Sequence, residues 1–574
     1  MATLIPSLAH CVFEHAGERL VAERLDQTLG PRVLVWHQAP VGPRQMQVSF
    51  VVLCPHRGLL MLEVRDWTVE QIERATPQAF VLAQEEVSTL LINPQAQARH
   101  CAIQTAAALV RDARLRPADD AEPLQLDFSW GHGVVLTGIT RRQFNEAGLD
   151  QSIEPRFVIC QDELTPKGDA PQLEQRLWNM LTHLSKGGVS PERLDRIRWN
   201  IFPQVRLPLR GQWFALRDPL ADLPDAMPVL NLHQERVLRA PLHGHHIVQG
   251  TAGTGKTLLL AARAQQLARA TAVSSRPILV LCASEPLSVT LREDVEAQGL
   301  GNNIQVRYFQ NWCYRQLNSY GQALPAQSQA APDALVQRVI RAVNARRIPK
   351  AQYQAIFIDE GHDFAPEWLT LISQMVDPGT QRLMLAFDPS QTPSGVLELQ
   401  STGMQAQGEP FLVATPYRHA KPPMLIDAPS AREETVAIAQ HLNQVHERGL
   451  AWGRMALLCA DAASLNLCAH TLATLKLPYR VRKKPGDYQP GADCIQVMTI
   501  AASKGLEFDL VAIPGVGQWP AVGQGHDSAL RELHVAMARA TESVVIGVAG
   551  GCALATALRQ NTLTEGQAPA ASPD

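Results

Sequence analysis

The most restrictive feature of this chain is one short segment, Gly250-Thr251-Ala252-Gly253-Thr254-Gly255-Lys256-Thr257. It follows an apolar run, His246–Gln249, and leads into a helical run, Leu258–Arg269. In that strand–turn–helix context a GxxxxGKT pattern wraps phosphate. Its glycines let backbone N–H groups close on the anion, and the N-terminus of the following helix favours negative charge. Lys256 is expected to reach the outer phosphates of a nucleotide and Thr257 to ligate Mg²⁺. The surrounding pattern agrees with a parallel α/β sheet, because His246–Gln249, Ile278–Cys282, Ala355–Ile358 and Arg382–Ala386 read as strands alternating with helices. A second α/β pattern covers about 396–555, with strands at Arg454–Cys459, Cys494–Thr499, Leu510–Ile513 and Ser543–Val548.

The strand Ala355–Ile358 ends in two acids, Asp359 and Glu360. An Asp at a strand tip can hold the Mg²⁺ shell, and a neighbouring Glu can orient or activate an attacking water. Alone, two acids after a strand are usually a solvated loop. The phosphate loop upstream makes the catalytic reading the better one.

Composition limits the partners. With 52 Lys+Arg against 55 Asp+Glu, the net charge is −3. That excludes a polycationic tail, so any nucleic-acid contact must come from local patches. Two such runs stand out: Arg338, Arg341, Arg346, Arg347 and Lys350, then Lys476, Arg480, Arg482, Lys483 and Lys484. Solvated helix faces are an equally good reading of both. Tyr308, Phe309 and Trp312 sit in an apolar helical segment and read as core before base-stacking residues. Hydrophobic residues at 46% mark a globular chain, and 574 residues allow about three to five domains. No apolar run approaches the roughly 18–20 residues of a membrane helix. The N-terminus lacks the basic start of a signal peptide. The ten Cys contain no CxxC pair, which argues for reduced thiols and a cytoplasmic location without membrane contact.

Upstream of the phosphate loop the chain reads as helix Glu14–Leu29, strands Val33–Trp36, Gln47–Leu53 and Leu59–Val64, helical patterning over Asn93–Val110, then strands Gly133–Leu136 and Arg156–Cys160. Residues 165–225 read as a connector with one helix, Gln172–Ser185.

From about 225 to 550 the motifs resemble, in order, those of the UvrD-like superfamily 1 helicases. Leu230-Asn231-Leu232-His233-Gln234 resembles the adenine-reading Q motif. Asp359-Glu360-Gly361-His362-Asp363 resembles motif II. Ala386-Phe387-Asp388-Pro389-Ser390-Gln391 resembles motif III, whose Gln senses the γ-phosphate. Pro416-Tyr417-Arg418 resembles motif IV, whose Arg contacts that phosphate. The stretch from Met498 through Lys504 to Glu507-Phe508 resembles motif V, whose Glu binds ribose. Val535-Ala536-Met537-Ala538-Arg539-Ala540 resembles motif VI, source of an arginine finger. The resemblance implies ATP and Mg²⁺ as cofactors, with Lys256, Glu360, Gln391, Arg418 and Arg539 catalytic. It implies nucleotide contacts from Gln234, Gly250, Thr251, Ala252, Gly253, Thr254, Gly255, Lys256, Thr257 and Glu507, and metal contacts from Thr257 and Asp359. The implied partner is DNA with a single-stranded region, worked on in the 3′-to-5′ direction.

Departures from the family cluster on nucleic-acid-facing and coupling positions. Cys282-Ala283-Ser284 lacks the usual motif Ia aromatic, Thr392-Pro393-Ser394 replaces a base-stacking residue, and Ala501 and Ala538 stand where His and Thr are usual. Base stacking is worth about 1–3 kcal/mol per base, so strand grip should be weak, and ATP hydrolysis is better supported than unwinding. An ATP-switched binding or scaffolding module is the alternative. The 81 positions from Arg418 to Thr499 leave no room for a large 2B insertion.

Gly17-Glu18, the Gln47–Phe50 strand and Leu62-Glu63-Val64-Arg65-Asp66-Trp67 resemble the nuclease-related NERD domain, which is similar to the PD-(D/E)xK restriction-endonuclease fold. Glu63 matches the ExK glutamate, but Arg65 replaces its lysine and Ser49 stands where an Asp would be. Ser is a poor hard-cation ligand, and Arg does not deprotonate. The expectation is a degenerate nuclease site at Glu18, Glu63 and Arg65, kept for DNA binding or for docking a protein partner; an active nuclease-helicase is the further alternative. The expected layout is an α/β protein: a nuclease-like domain over 1–165, a connector over 166–225, a RecA-like domain over 226–395 with a reduced insertion near 290–350, a second RecA-like domain over 396–560, and a disordered tail over 561–574. The ATP site is expected between the two RecA-like domains.

Overall fold

The computed structural model describes all residues except 43–45, 85–86, 118–124, 165–169, 207–229, 252, 272–275, 323–331, 392–409, 414–421, 483–491, 504–505, 520–525 and 566–574. The chain is α/β and forms two compact units, Met1–Arg210 with Ala215–Pro241, and Gly211–Phe214 with Leu242–Asp574.

The first unit is built on a seven-stranded sheet in the order Thr3–Ile5, Leu34–His37, Phe50–Cys54, Gly58–Arg65, Trp130–Leu136, Leu181–His183, with Val158–Cys160 also paired to Trp130–Leu136. Gly58–Arg65 runs antiparallel to Phe50–Cys54 and parallel to Trp130–Leu136. These strands are near-continuous apolar runs because both faces are covered. Leu60, Leu62 and Val64 pack with Val21 and Leu25 of the helix Ala16–Thr28. Leu59 and Met61 meet Ala102 and Ala106 of the helix Pro94–Leu109 from the other face. Asn93 caps that helix by accepting the Gln95 N–H at 2.8 Å, and Pro94 starts it with a preset φ.

Three parts of this unit depart from the sequence reading. A separate three-stranded antiparallel sheet spans Ile72–Ala75, Ala79–Gln84 and Val87–Ile92. Much of it is exposed, which hides its pattern; Phe80 joins a core alongside Val134 and Leu136, with Ile72 and Ala75 packed against it. The helix expected at Gln172–Ser185 spans Ala170–Asn179 and gives way to the strand Leu181–His183, where His183 stacks on Trp130 at 3.9 Å. The expected connector over 166–225 is part of the first unit over its described residues 170–206, and its residues 207–225 lie outside the described residues. The helix Pro191–Ile201 is integral to the unit, with buried Arg196 paired to buried Asp112 at 2.6 Å. Arg198, 2% exposed, pairs with the fully buried Glu235 at 2.7 Å. Glu235 also accepts from Trp36 Nε1 at 2.9 Å and pairs with Arg239 at 2.8 Å. The helix Leu232–Arg239 therefore closes the first unit, and the boundary falls after Pro241 rather than at 225. Charged residues that read as linker are the ones buried as pairs.

The second unit holds two parallel six-stranded sheets. The first has the order Ile304–Tyr308, Ile278–Cys282, Ala355–Ile358, Arg382–Phe387, His245–Gln249, Phe411–Leu412. The second has the order Met424–Ile426, Ala540–Gly547, Phe508–Ile513, Met455–Cys459, Ile495–Thr499, Tyr479–Val481. Ile304–Tyr308 is thus an edge strand of the core sheet, so the segment expected as an insertion near 290–350 is partly core. The helices Phe309–Ser319 and Pro332–Asn344 follow it, and Phe309 and Trp312 are 2% exposed in the core. The helix Ala553–Glu565 extends into the expected disordered tail, whose residues 566–574 lie outside the described residues. Among the described residues no helix is long and apolar enough to cross a membrane, and the ten Cys are free.

Candidate functional site

Parallel strands deliver their C-terminal ends to one edge of a sheet, and ligands of such sheets bind there. At that edge of the first sheet, Gln249 runs into the phosphate loop, Ile358 into Asp359, and Phe387 into Asp388. Gly253 and Gly255 have φ of +78° and +82°, conformations that L side chains rarely adopt. A Cβ at Gly250 would lie 2.6 Å from the Val413 carbonyl oxygen. Thr254 is fully buried and donates to the Thr251 carbonyl at 2.8 Å, locking the loop from inside. Lys256, at the start of the helix Lys256–Ala270, donates from Nζ to the Gly250 and Thr251 carbonyls at 2.9 Å each. Its ammonium is therefore held within the loop that it would share with phosphates.

Thr257 Oγ1 donates to Asp359 Oδ2 at 2.8 Å. Asp359 is 1% exposed, and neither its Oδ1 nor the buried Oε2 of Glu360 has a hydrogen-bond partner. Burial, and then the neighbouring Glu360 carboxylate, push the Asp359 carboxyl upward. Unpaired buried carboxylate oxygens are costly unless a cation completes them. Two carboxylates and a hydroxyl are the hard oxygen donors that Mg²⁺ takes, so these residues fit that ion.

A polar chain extends from this pair. Glu360 adopts φ +51°, and its Oε2 lies 3.6 Å from His362 Nε2. His362 Nε2 and Gln391 Oε1 are 3.1 Å apart; Gln391 Nε2 donates to Asp388 Oδ2 at 2.7 Å. Asp388 Oδ2 is in turn 4.0 Å from Lys256 Nζ. The chain joins three of the expected site residues, Glu360, Gln391 and Lys256, through two that the sequence reading did not assign, His362 and Asp388. A signal for Asp388 existed: it stands at the tip of its strand just as Asp359 does.

The remaining expected residues are placed as follows. A Cβ at Gly253 would come within 3.8 Å of the Ala538 Cβ, which brings the residue before Arg539 against the phosphate loop. Arg539 is 7% exposed, with Nε donating to the Val535 carbonyl at 3.3 Å. Glu507 is exposed. Gln234 belongs to the first unit, where it is buried and forms a capping box with Asn231, their reciprocal bonds both 2.9 Å. Ala252 and Arg418 lie outside the described residues.

The second expected site lies in the first unit. Glu63 pairs with Arg65 at 2.5 Å and accepts the Ser49 N–H at 3.3 Å. Burial raises its carboxyl, and Arg65 opposes that shift. Arg65 also donates to Gln97 Oε1 at 3.0 Å. Glu18 Oε2 is 3.2 Å from His37 Nε2 and accepts from Gln38 Nε2 at 3.2 Å. Burial works upward on Glu18, but His37 and then Gln38 carry the net shift downward. Ser49 Oγ accepts the Val64 N–H at 3.0 Å. Among the described residues no group of three His, Cys, Asp or Glu side chains is arranged to hold a metal ion. Each carboxylate here is already matched by the chain's own cation or donors, so these residues do not fit the Mg²⁺ of a nuclease.

Residues 230–344 match the family model described as the UvrD/REP helicase N-terminal domain. That stretch includes Gln234 and the phosphate loop and stops short of Asp359. No curated protein matches the chain. Among solved structures, the chain is similar to Mss116p bound to ssRNA and AMP-PNP, at 16% identity and TM-score 0.39 over 56% of this chain and 70% of that one. It is similar to S. cerevisiae Dbp5 bound to Gle1 at 13% identity and TM-score 0.37 over 58% and 86%. A third is the DUF1998 helicase MrfA bound to DNA, at 14% identity and TM-score 0.35 over 59% and 52%. Overlaps of this size carry no argument about function.

Proposed function

We propose that this chain is an ATP-hydrolysing nucleic-acid motor of UvrD-like type, acting 3′-to-5′ on DNA with a single-stranded region. One observation carries the reading. The Asp359–Glu360 pair keeps buried oxygens without hydrogen-bond partners beside Thr257, which follows the phosphate loop. Mg²⁺, when bound, neutralises phosphate charge there. Lys256 exchanges the Gly250 and Thr251 carbonyls for the outer phosphates of ATP. Glu360 orients the attacking water, and the His362–Gln391–Asp388 chain links that event to Lys256 and to the strand tips. Arg539 and Arg418 stabilise charge that develops on the γ-phosphate, a contribution of about 10³–10⁵ in rate for such fingers. Glu507 contacts the ribose.

The first unit, on this reading, is a nuclease-related fold that does not cleave, because Arg65 pairs with Glu63 and His37 and Gln38 occupy Glu18 where a metal would sit. It serves binding or docking. Steady-state ATPase with and without single-stranded DNA tests the proposal. Many-fold stimulation is expected. Turnover that ignores DNA and RNA alike would favour an ATP-switched scaffold instead, and wild-type turnover by Lys256→Ala would remove the site assignment.

A further inference from the structure

The first sheet of the second unit has a second concave site, along its edge strand Ile304–Tyr308 and the N-terminal ends of the two strands beside it. Arg276 and Pro277 precede the strand Ile278–Cys282, and Gln352 and Tyr353 precede the strand Ala355–Ile358. In a parallel sheet these N-terminal ends lie one strand length from the C-terminal ends that carry Gly250 and Asp359. A cavity of about 550 Å³ opens there, within the range of roughly 300–1,000 Å³ typical of small-ligand sites. Its wall contains Arg276, Arg307, Arg315 and Lys350 and no carboxylate.

The charge is poorly compensated. Asp377 pairs with Arg276 at 2.9 Å. Among the described residues no carboxylate forms an ion pair with Arg307, Arg315 or Lys350. Arg307 is half-buried; its pKa is lowered by burial and then by Arg315 and Arg292, while Tyr353 and Glu296 act the other way. Like charges crowded at a partly buried position are relieved by an anion. Amide groups add neutral donors: Gln316 and Gln352 line the cavity and bond each other at 3.1 Å. Tyr320, 38% exposed, stands at the rim as a flat aromatic surface. Backbone strain marks the same place. Ala351, in the wall, has φ +56°, and Arg346 has φ +55°. Strain of this kind collects at ligand sites. Arg346 and Arg347 are exposed and lie within four residues of Lys350 along the chain, so the positive surface continues beyond the cavity.

We propose that this cavity binds a nucleoside phosphate, with Arg307, Arg315 and Lys350 on the phosphate and Tyr320 against the base. The nucleotide is either one unit of a single strand, with Arg346 and Arg347 carrying the next phosphates, or a free nucleotide. The proposal does not depend on the role assigned to the phosphate loop.

The test uses the full chain and the double variant Arg315→Glu/Lys350→Glu, whose sites are exposed and tolerate charge reversal. Binding of a short fluorescent oligothymidylate is measured against salt, and binding of radiolabelled ADP by equilibrium dialysis. If a strand is the ligand, the variant loses at least about tenfold in oligothymidylate affinity. Its salt slope also falls by about 1.4, since each lost single-strand phosphate contact removes roughly 0.7, and ADP stoichiometry is unchanged. If a free nucleotide is the ligand, the variant loses an ADP equivalent that Lys256→Ala retains. Basal ATPase is unchanged in both cases. Wild-type binding of both ligands by the variant would overturn the proposal. Circular dichroism and the unchanged ATPase exclude misfolding as the cause of any loss.

Discussion

Two pairs of buried acids lie beside strands of this protein, and their surroundings differ. Asp359 and Glu360 each retain an oxygen without a hydrogen-bond partner, and Lys256 is held by loop carbonyls. Glu18 and Glu63 are matched by His37 and Arg65. An acid at a strand does not by itself make a metal site. What decides is whether the fold has already provided an ion pair or hydrogen-bond donors for its oxygens. A site left incomplete has a use for a ligand, and a site completed from within has none.

The largest expected effects fall on the incomplete site. Arg539→Ala should cut turnover about 10³–10⁵-fold with nucleotide binding largely kept, measured by single-turnover hydrolysis beside ADP binding. Unchanged turnover would separate Arg539 from the reaction. Glu360→Gln should cost about 10²–10⁴-fold, the range for a positioned general base. Retention of full rate would break the contrast with Glu63, for which Glu63→Gln should leave hydrolysis unchanged.

The next effect is on stability. Arg198→Met leaves Glu235 buried with only Arg239 as an ion-pair partner and should destabilise the first unit by roughly 3–5 kcal/mol, as breaking a buried pair does. Denaturant unfolding reads this, and a shift below 1 kcal/mol would argue that the pair is not buried in solution.

The smallest effect is on pH dependence. Burial lowers His132 from 6.5 to about 4, with no partner for its Nε2. The neutral form is favoured in the fold, so the stability it contributes is complete above pH 6.5 and is lost as pH falls toward 4. His132→Gln should flatten the acid side of the first unit's stability curve across that window. An unaltered slope would show that other groups set it.

Much of the candidate site was legible in sequence because its elements are contiguous. The loop Gly250–Thr257, the tip acids Asp359 and Glu360 and the flanking strands each announce themselves within a few residues, and Ile278–Cys282 and Ala355–Ile358 match their expected bounds. The hydrogen-bond chain through His362 and Asp388 was not legible, since it depends on how neighbouring strand tips align in space. The extent of the first unit was misread for a related reason. Arg196, Arg198 and Glu235 look like linker charges until their partners, brought from far along the chain, are known. The cavity beside Arg307 combines residues from four separate segments, and only the fold assembles them.

The contrast between the two acid pairs is tested most directly by counting metal sites. Mn²⁺ binding to the full chain in the presence of ADP, followed by electron paramagnetic resonance, should give one tight site. That site should disappear in Asp359→Asn and persist in Glu63→Gln. A second tight site that is lost in Glu63→Gln would contradict the account.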